Sequence, residues 1–394
     1  MTTLSTRLPQ PALAARATIL ASATLTIMGA AIIAPSLPAM NAEYAGTPGA
    51  DVLVRLTLTV TSLAIAVTAP VAGLLADRIG RRPLLLTSLA LYALAGAAGY
   101  LITSLGLLIA SRALLGAAVG GVMTAVSAVI ADWFEGPSRA RFLGLQQASA
   151  SLGGVVFLPL AGILADISWR APFLLYVVAA LILPAAAVLL REPVRPAAAM
   201  AGPVAGPAAR IGSRSEIIRV YGVAAAATVI FYMAPTQLPF WLAALHTSTA
   251  VTGMVIAGST LTGIVGALAF PRLRSRMRPP TITALSLALL GVGWLVAGTG
   301  AELPQLAAGV LIGGVGVGLV VPNLNTRLAE IASPTQRGRV LGGLVTAIFL
   351  GQFLSPLAMQ PVVDRLGVAT TFTWSGGVLL LGAALAVTVR LVRR

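Results

Sequence analysis

The chain alternates long apolar runs with short polar gaps, and the length of those runs limits the fold more than any other feature. A helix crossing roughly 30 Å of hydrocarbon at about 1.5 Å per residue needs about 20 mostly apolar residues. Twelve runs meet that ruler, at approximately 17–40, 52–76, 84–104, 107–131, 142–165, 171–190, 217–245, 249–271, 281–300, 303–327, 340–362 and 367–391. In lipid an α-helix satisfies its own backbone N–H and C=O groups within one segment. The sequence therefore predicts an all-α integral membrane protein of twelve transmembrane helices. Composition excludes a soluble domain, because 58% of residues are hydrophobic and 9% charged, against about 25% charged in soluble proteins.

The gaps divide into two kinds. One set carries Arg78, Arg81 and Arg82, then Arg139 and Arg141, Arg191 to Arg219, Arg272 to Arg278, and Arg337 and Arg339. The alternate set holds Glu43, Asp51, His246, Glu302 and the isolated Arg170 and Arg365. Basic residues in short loops mark the cytoplasmic side, so both termini are expected there, in a bacterial inner (cytoplasmic) membrane. The net charge of +15 belongs to this pattern. Nucleic acid is excluded as a partner, since no basic face with interleaved aromatics is present.

Residues 191–216 mix proline, glycine and charge and read as a cytoplasmic linker. The expected organisation is an N-terminal six-helix bundle over 1–190 and a C-terminal six-helix bundle over 217–394. A shift of 198 residues places Gly116 on Gly314, Gly120 on Gly318, Asp132 on Glu330, Arg139 on Arg337, Arg141 on Arg339 and Gly144 on Gly342. Two parallel copies predict a site at the repeat interface.

Between the second and third runs lies GLLADRIGRRPLL, Gly73 to Leu85. Gly73 permits close helix approach and Gly80 a tight turn. Asp77, beside Arg78, can sit against the positive N-terminus of a helix from the other half; the alternative is an anchor that sets topology, which needs the arginines but not the acid. This stretch resembles the pattern G-x-L-a-D-r-x-G-r-k-x-x-l of the major facilitator superfamily, matched by Gly73, Leu75, Ala76, Asp77, Arg78, Gly80, Arg81, Arg82 and Leu85, with Arg82 in the k slot. The resemblance is closest to the twelve-helix drug or metabolite:proton antiporters. It implies that Asp77 latches the cytoplasmic gate of the outward-facing state against the start of helix 11 near Arg337 to Arg339, and that Asp132 pairs with an arginine, here Arg82 or Arg139.

Other motifs carry less. Arg112, in IASRALLGAAVGG, resembles the arginine of the family's helix 4, with a role in coupling or substrate charge; five residues into its run, it could equally snorkel to the surface. Arg55 reads as such a snorkeller. Gly154, Pro159 and Gly162 resemble a helix-5 bend associated with antiporters, with Leu158 in place of a glycine. Met28, Gln146, Tyr232, Gln237, Trp241, Asn323, Asn325 and Gln352 are expected to line a mostly neutral, partly aromatic cavity. The second-half loop FPRLRSRMRPP contains no acid and reads as a plain counterpart of the first.

The sequence contains no cysteine and a single histidine. Thiol chemistry and cysteine-rich metal sites are excluded, and neither metal nor cofactor is expected. No phosphate-binding loop is present. The resemblance implies a monomeric secondary transporter, not an enzyme, that exchanges protons for a small amphipathic compound, such as a drug or siderophore. Uptake of a nutrient or organic anion, and a non-transporting receptor, are the alternatives.

Overall fold

A computed structural model describes residues 12–192, 214–333 and 336–392. Most of the expected linker, 193–213, lies outside the described residues. Among them the chain is helical throughout: α1 Leu13–Glu43, α2 Ala50–Ile79, α3 Arg81–Ala98, α4 Leu105–Trp133, α5 Gly136–Ile167, α6 Ala171–Leu189, α7 Arg214–Ala244, α8 Thr249–Arg276, α9 Pro279–Gly298, α10 Leu303–Ile331, α11 Arg337–Leu366 and α12 Val368–Val392.

Eleven of these are long and apolar enough to cross a membrane, one fewer than the twelve expected. The exception is α3, because its 18 residues begin with Arg81, Arg82 and Pro83. Those three dilute the mean hydropathy of a helix whose remainder is apolar. The chain is a multi-pass membrane protein.

Helices α1 and α7 are not continuous. In α1 the helix stops at Ala31, passes through a 3₁₀ turn, Ala34–Ser36, and resumes at Leu37. Pro35 and Pro38 remove backbone donors there, which forbids an unbroken ladder. In α7 the break falls at Tyr232, between Phe231 and Met233, just before Pro235.

Small residues set the packing. A methyl group on Gly116 would run into the backbone of α2 at Thr61, one on Gly120 into the Thr68 hydroxyl of α2, and one on Gly314 or Gly318 into α8 at Ser259 and Gly263. Glycines let two helix backbones approach in lipid, where packing rather than hydrophobicity drives association. Positions paired by the 198-residue shift thus seat α4 on α2 and α10 on α8. Within the C-terminal set, α9 packs against both α10 and α12, and buried Trp294 of α9 stacks near Phe231 and Phe372. Between the N-terminal set (α1–α6) and the C-terminal set (α7–α12), the principal seams are α5 on α8 and α2 on α11.

Candidate functional site

The two sets meet at one end and part at the other. Helices α1, α3, α5, α7, α9 and α11 begin on the face that carries Arg81, Arg139 and Arg274, here called the basic face. Near the middle, the Ser62 hydroxyl donates to Oε1 of Gln352 (2.7 Å). Further hydrogen bonds between the sets lie at that level and towards the opposite face. The Tyr232 hydroxyl donates to the carbonyl of Ala30 (3.1 Å), joining the breaks in α7 and α1. At the opposite end Asp166 accepts from the Thr249 amide (2.8 Å), the Thr249 hydroxyl (2.8 Å) and the Ala250 amide (3.3 Å).

The α5–α8 seam is tight for a reason visible in the sequence. Gly162 would place a methyl 2.5 Å from the carbonyl oxygen of Thr249, and Gly154 would place one 2.8 Å from Ile27 and 3.3 Å from Thr260. Pro159 lies between these glycines, and a methyl on Gly253 would meet the backbone of Leu158 and Pro159. The three expected bend residues thus lie where α5 meets α8.

Towards the basic face the same helices separate. Gly73, Gly144, Gly338 and Gly342 have nothing within 4 Å of where a Cβ would stand, and Val67, Val71 and Leu74 of α2 are exposed. The result is a cleft between the sets, open on the basic face and closed beyond Ser62. A recess of about 140 Å³ in its C-terminal wall is lined by Thr228 and Phe231 of α7, Val317 and Val321 of α10, and Ile348 and Gln352 of α11, among others. It holds one amide and one hydroxyl in an otherwise apolar surface, which suits an amphipathic guest.

Of the residues expected to line a cavity, Gln352 does so. Asn323 is buried and turns to α9, donating to the Pro279 carbonyl (3.1 Å) and Thr283 Oγ1 (2.8 Å). Met28 is buried in the core around α1 and α4. Gln237 is buried in the closed end, donating to Gln360 (2.9 Å), which in turn donates to Asp364 (2.7 Å). Trp241 packs on Phe372, Tyr232 is held by Ala30, and Gln146 exchanges hydrogen bonds with Ser127 (2.9 Å). Asn325 bonds its own helix at Val321 (3.1 Å). A polar residue in an apolar helix is satisfied most cheaply by a neighbouring helix, and sequence cannot say which face it turns to.

On the basic face the expected partner of Asp132 is corrected. Arg81 Nε, rather than Arg82 or Arg139, bonds Asp132 (3.0 Å), while Arg81 Nη1 reaches Asp77 (3.1 Å) and the Ala76 carbonyl (2.8 Å). Arg82 donates to the Ala187 carbonyl (2.7 Å) and Arg139 to those of Phe134 (2.8 Å) and Ala131 (2.7 Å). The amides of Arg81 and Arg82 donate to Glu192 (2.7 and 2.9 Å), an acid at the start of a positive helix end. Gly80 makes the turn at φ +100°, and a side chain there would strike the Glu192 carboxylate. In the second set Arg274 bonds Glu330 (2.8 Å), so the loop without an acid of its own borrows one from α10, at the position the repeat pairs with Asp132.

Neither Arg112 nor Arg55 snorkels. Arg112 is fully buried, donates to the carbonyls of Ala95 and Gly96 (2.7 Å each), and lies over the rings of Phe173 (4.8 Å) and Tyr176 (5.0 Å). It points into the junction of α3, α4 and α6 and not into the cleft. The five donors and flat π surface of a guanidinium match two carbonyls and two rings at once. Arg55 is buried in the closed end, 3.9 Å above the ring of Phe240 across the sets, and donates to the Asp51 carbonyl (2.6 Å). Also at this end, the Tyr44 hydroxyl donates to the Thr103 carbonyl (2.9 Å), and burial pushes its pKa up against the opposing pull of Arg170.

A helical bundle whose two sets close on one face and open a central cleft on the other is the architecture of a membrane transporter. The sequence pattern of the Major Facilitator Superfamily matches residues 19–242 and 220–394, and the chain belongs to that family. It is 28% identical over 389 residues to the class G tetracycline resistance protein of Vibrio anguillarum, covering 92% of each chain. It is 34% identical to the efflux pump dotC of Dothistroma septosporum over 131 residues, which are 33% of this chain and 21% of dotC, so the chain matches about a fifth of that relative. The crystal structure of a bacterial homologue of the human lysosomal transporter Spinster, in an inward-facing and occupied conformation, superposes with a TM-score of 0.75 over 94% of this chain and 95% of that one, at 15% identity. That likeness is one of fold.

Proposed function

We propose that the protein is a secondary active exporter of a small amphipathic organic compound, in exchange for protons, working by alternating access. The observation that carries this is the cleft itself, amphipathic in its wall, bounded by two sets of helices, and open on one face only. Twelve helices, α3 included, form two six-helix units, 1–190 and 217–394, joined by 191–216, and a single chain suffices. The arginine distribution puts the basic face and both termini in the cytoplasm of a bacterial cell, so the structure is the inward-facing state. Similarity to a tetracycline resistance protein and an efflux pump supports export as the direction.

In this reading a guest enters from the cytoplasm or inner leaflet and settles against Phe231, Thr228 and Gln352. Rocking of the units then moves the opening from one face to the other around a fixed site. Asp77, Arg78, Gly80, Arg81, Arg82 and Asp132, with Gly73, form the cytoplasmic gate, and Gly154, Pro159 and Gly162 the seam that keeps the outer end sealed. Arg112 holds α3, α4 and α6 together and acts on coupling through that junction.

The test is flux in proteoliposomes under an imposed pH gradient, with neutral and cationic amphipathic compounds, siderophores and sugars as cargo. Gradient-driven movement of an amphipathic compound that stops when the gradient is collapsed is the expected result. Sugar uptake, or the absence of flux by folded protein for every compound, overturns the reading.

A further inference from the structure

The outer end of α5 repeats the sequence of the gate. Residues 70–81 read PVAGLLADRIGR and residues 159–170 read LAGILADISWR after an initial Pro159. At an offset of 89 residues, Pro70, Ala72, Gly73, Leu75, Ala76, Asp77 and Arg81 recur as Pro159, Ala161, Gly162, Leu164, Ala165, Asp166 and Arg170. The two copies point in opposite directions, since α2 ends on the basic face and α5 on the other. Each runs beside a helix of the C-terminal set: α2 beside α11, which begins on the basic face, and α5 beside α8, which begins on the opposite one.

In this structure the second copy makes the contact that the family resemblance assigns to the first. The Asp166 carboxylate accepts two backbone amides of the first turn of α8, Thr249 (2.8 Å) and Ala250 (3.3 Å), and the Thr249 hydroxyl (2.8 Å). The single proton of the Thr249 hydroxyl is shared between Asp166 and the Gly162 carbonyl (2.7 Å), tying the acid and the glycine of the motif to one residue. The next amide, Val251, is taken within α8 by Ser248 Oγ (3.4 Å). First-turn amides have no partner in their own helix, and a carboxylate there gains from both the hydrogen bonds and the helix dipole. Here the carboxylate comes from the other unit, so the cap exists only while the outer face is closed. Arg170, the counterpart of Arg81, bonds Glu43 (3.3 Å) and the Ile102 carbonyl (2.5 Å), fixing the end of α5 to its own unit much as Arg81 fixes the end of α2 to Asp132.

We propose that Asp166 is a positioning residue of the transport cycle, an outer latch that holds the inward-facing state by capping α8, as the inverted copy of the Asp77 gate. It rests on the alternating-access reading but not on any cargo. Opening the outer face breaks the cap, and closing the cytoplasmic face brings Asp77 to the start of α11, so the two acids bias one equilibrium in opposite senses.

The chain has no cysteine of its own, so spin labels on Thr103→Cys and Ala301→Cys, exposed positions on the outer loops of the two units, report the outer opening directly by pulsed dipolar spectroscopy on full-length protein in nanodiscs, without substrate. Asp166→Ala is expected to raise the population with a long outer distance roughly fivefold relative to the closed one, the effect of losing one helix cap. Asp166→Asn, which can still cap, is expected to stay within about twofold of wild type. Asp77→Ala is expected to move the ratio the other way. An unchanged ratio in Asp166→Ala, or a shift of the same sign from both alanine variants, overturns the proposal. A fall in thermal stability with the distance ratio unmoved also overturns it, by making Asp166 a structural cap only. Failure of every flux assay beside the expected distance shifts would sink the cargo reading and leave the latch standing.

Discussion

Gly162→Ala tests the outer seam most sharply, because one methyl group meets only backbone. At this position a Cβ stands 2.5 Å from the Thr249 oxygen, 2.8 Å from the Ala250 Cα and 3.1 Å from the Thr249 carbonyl carbon. No rotamer change can relieve that overlap, so α5 and α8 must separate at this level. Overpacking of this kind costs about 1–3 kcal/mol. Alanine also raises helix propensity by about 1 kcal/mol over glycine, but that gain is present in both states and cancels from their ratio. The clash exists only while the outer face is closed, so the ratio of outward-open to inward-facing protein is expected to rise roughly 5- to 150-fold. Alkylation of Ala257→Cys, a buried position four residues beyond Gly253 on α8, by an impermeant maleimide from the outer side reads that ratio as a rate. Gly144→Ala, where nothing lies within 4 Å in this state, serves as the control and is expected to leave the outer rate unchanged or lower it. An unaltered rate in Gly162→Ala would show that the seam absorbs the methyl locally and would refute the claim that glycine at 162 holds the outer face shut.

The mirror substitution, Gly73→Val, meets open space here and should obstruct only closure of the cytoplasmic face; the same maleimide rate at Ala257→Cys is expected to fall. Arg112→Lys retains a charge but cannot span two carbonyls and two rings, so a loss of about 2–4 kcal/mol in stability is expected, seen as a lower melting temperature in detergent, with the outer distance ratio unmoved. Phe240→Ala removes the ring beneath Arg55 and is expected to loosen the outer end, raising the long-distance population about two- to fivefold on the scale of a desolvated cation–π contact. Gln352→Ala, which removes the amide of the recess, is expected to weaken binding of a transported compound about tenfold in an equilibrium titration, the scale of one hydrogen bond.

The all-helical membrane fold, the spacing of its spans and the arginine-rich face were legible because they depend on local quantities. About 20 apolar residues must span the bilayer wherever the chain places them, and arginines in short gaps mark a face without reference to neighbours. The glycines at 116, 120, 314 and 318 were legible too, since a 198-residue repeat is a property of the string. Partners were less legible. Asp132 was expected at Arg82 or Arg139 and lies on Arg81, since Arg81 and Arg82 are neighbours that differ only in the direction their side chains leave the turn at Gly80, while Arg139 turns back to the carbonyls of Phe134 and Ala131. Arg55 and Arg112 look alike in sequence, each a few residues into a run, and neither reaches the surface. One stacks across the two sets on Phe240 and the other closes a junction of α3, α4 and α6.

The repeat of P-x-A-G-x-L-A-D at 70 and 159 was readable in the string, but its meaning was not. Only the fold shows that the two copies run antiparallel, each beside a helix of the other set, and that the second meets the first turn of its neighbour. By itself, the sequence determined a membrane-spanning helical bundle of the major facilitator type, with its arginines on one face and its close-packing glycines in place. The tertiary structure decided which polar side chains face the cleft, which arginines are sealed in junctions, and which end is shut. The division has a physical cause: crossing a bilayer is a requirement each helix meets alone, whereas a buried polar group is satisfied by whichever neighbour the packing brings within about 3 Å.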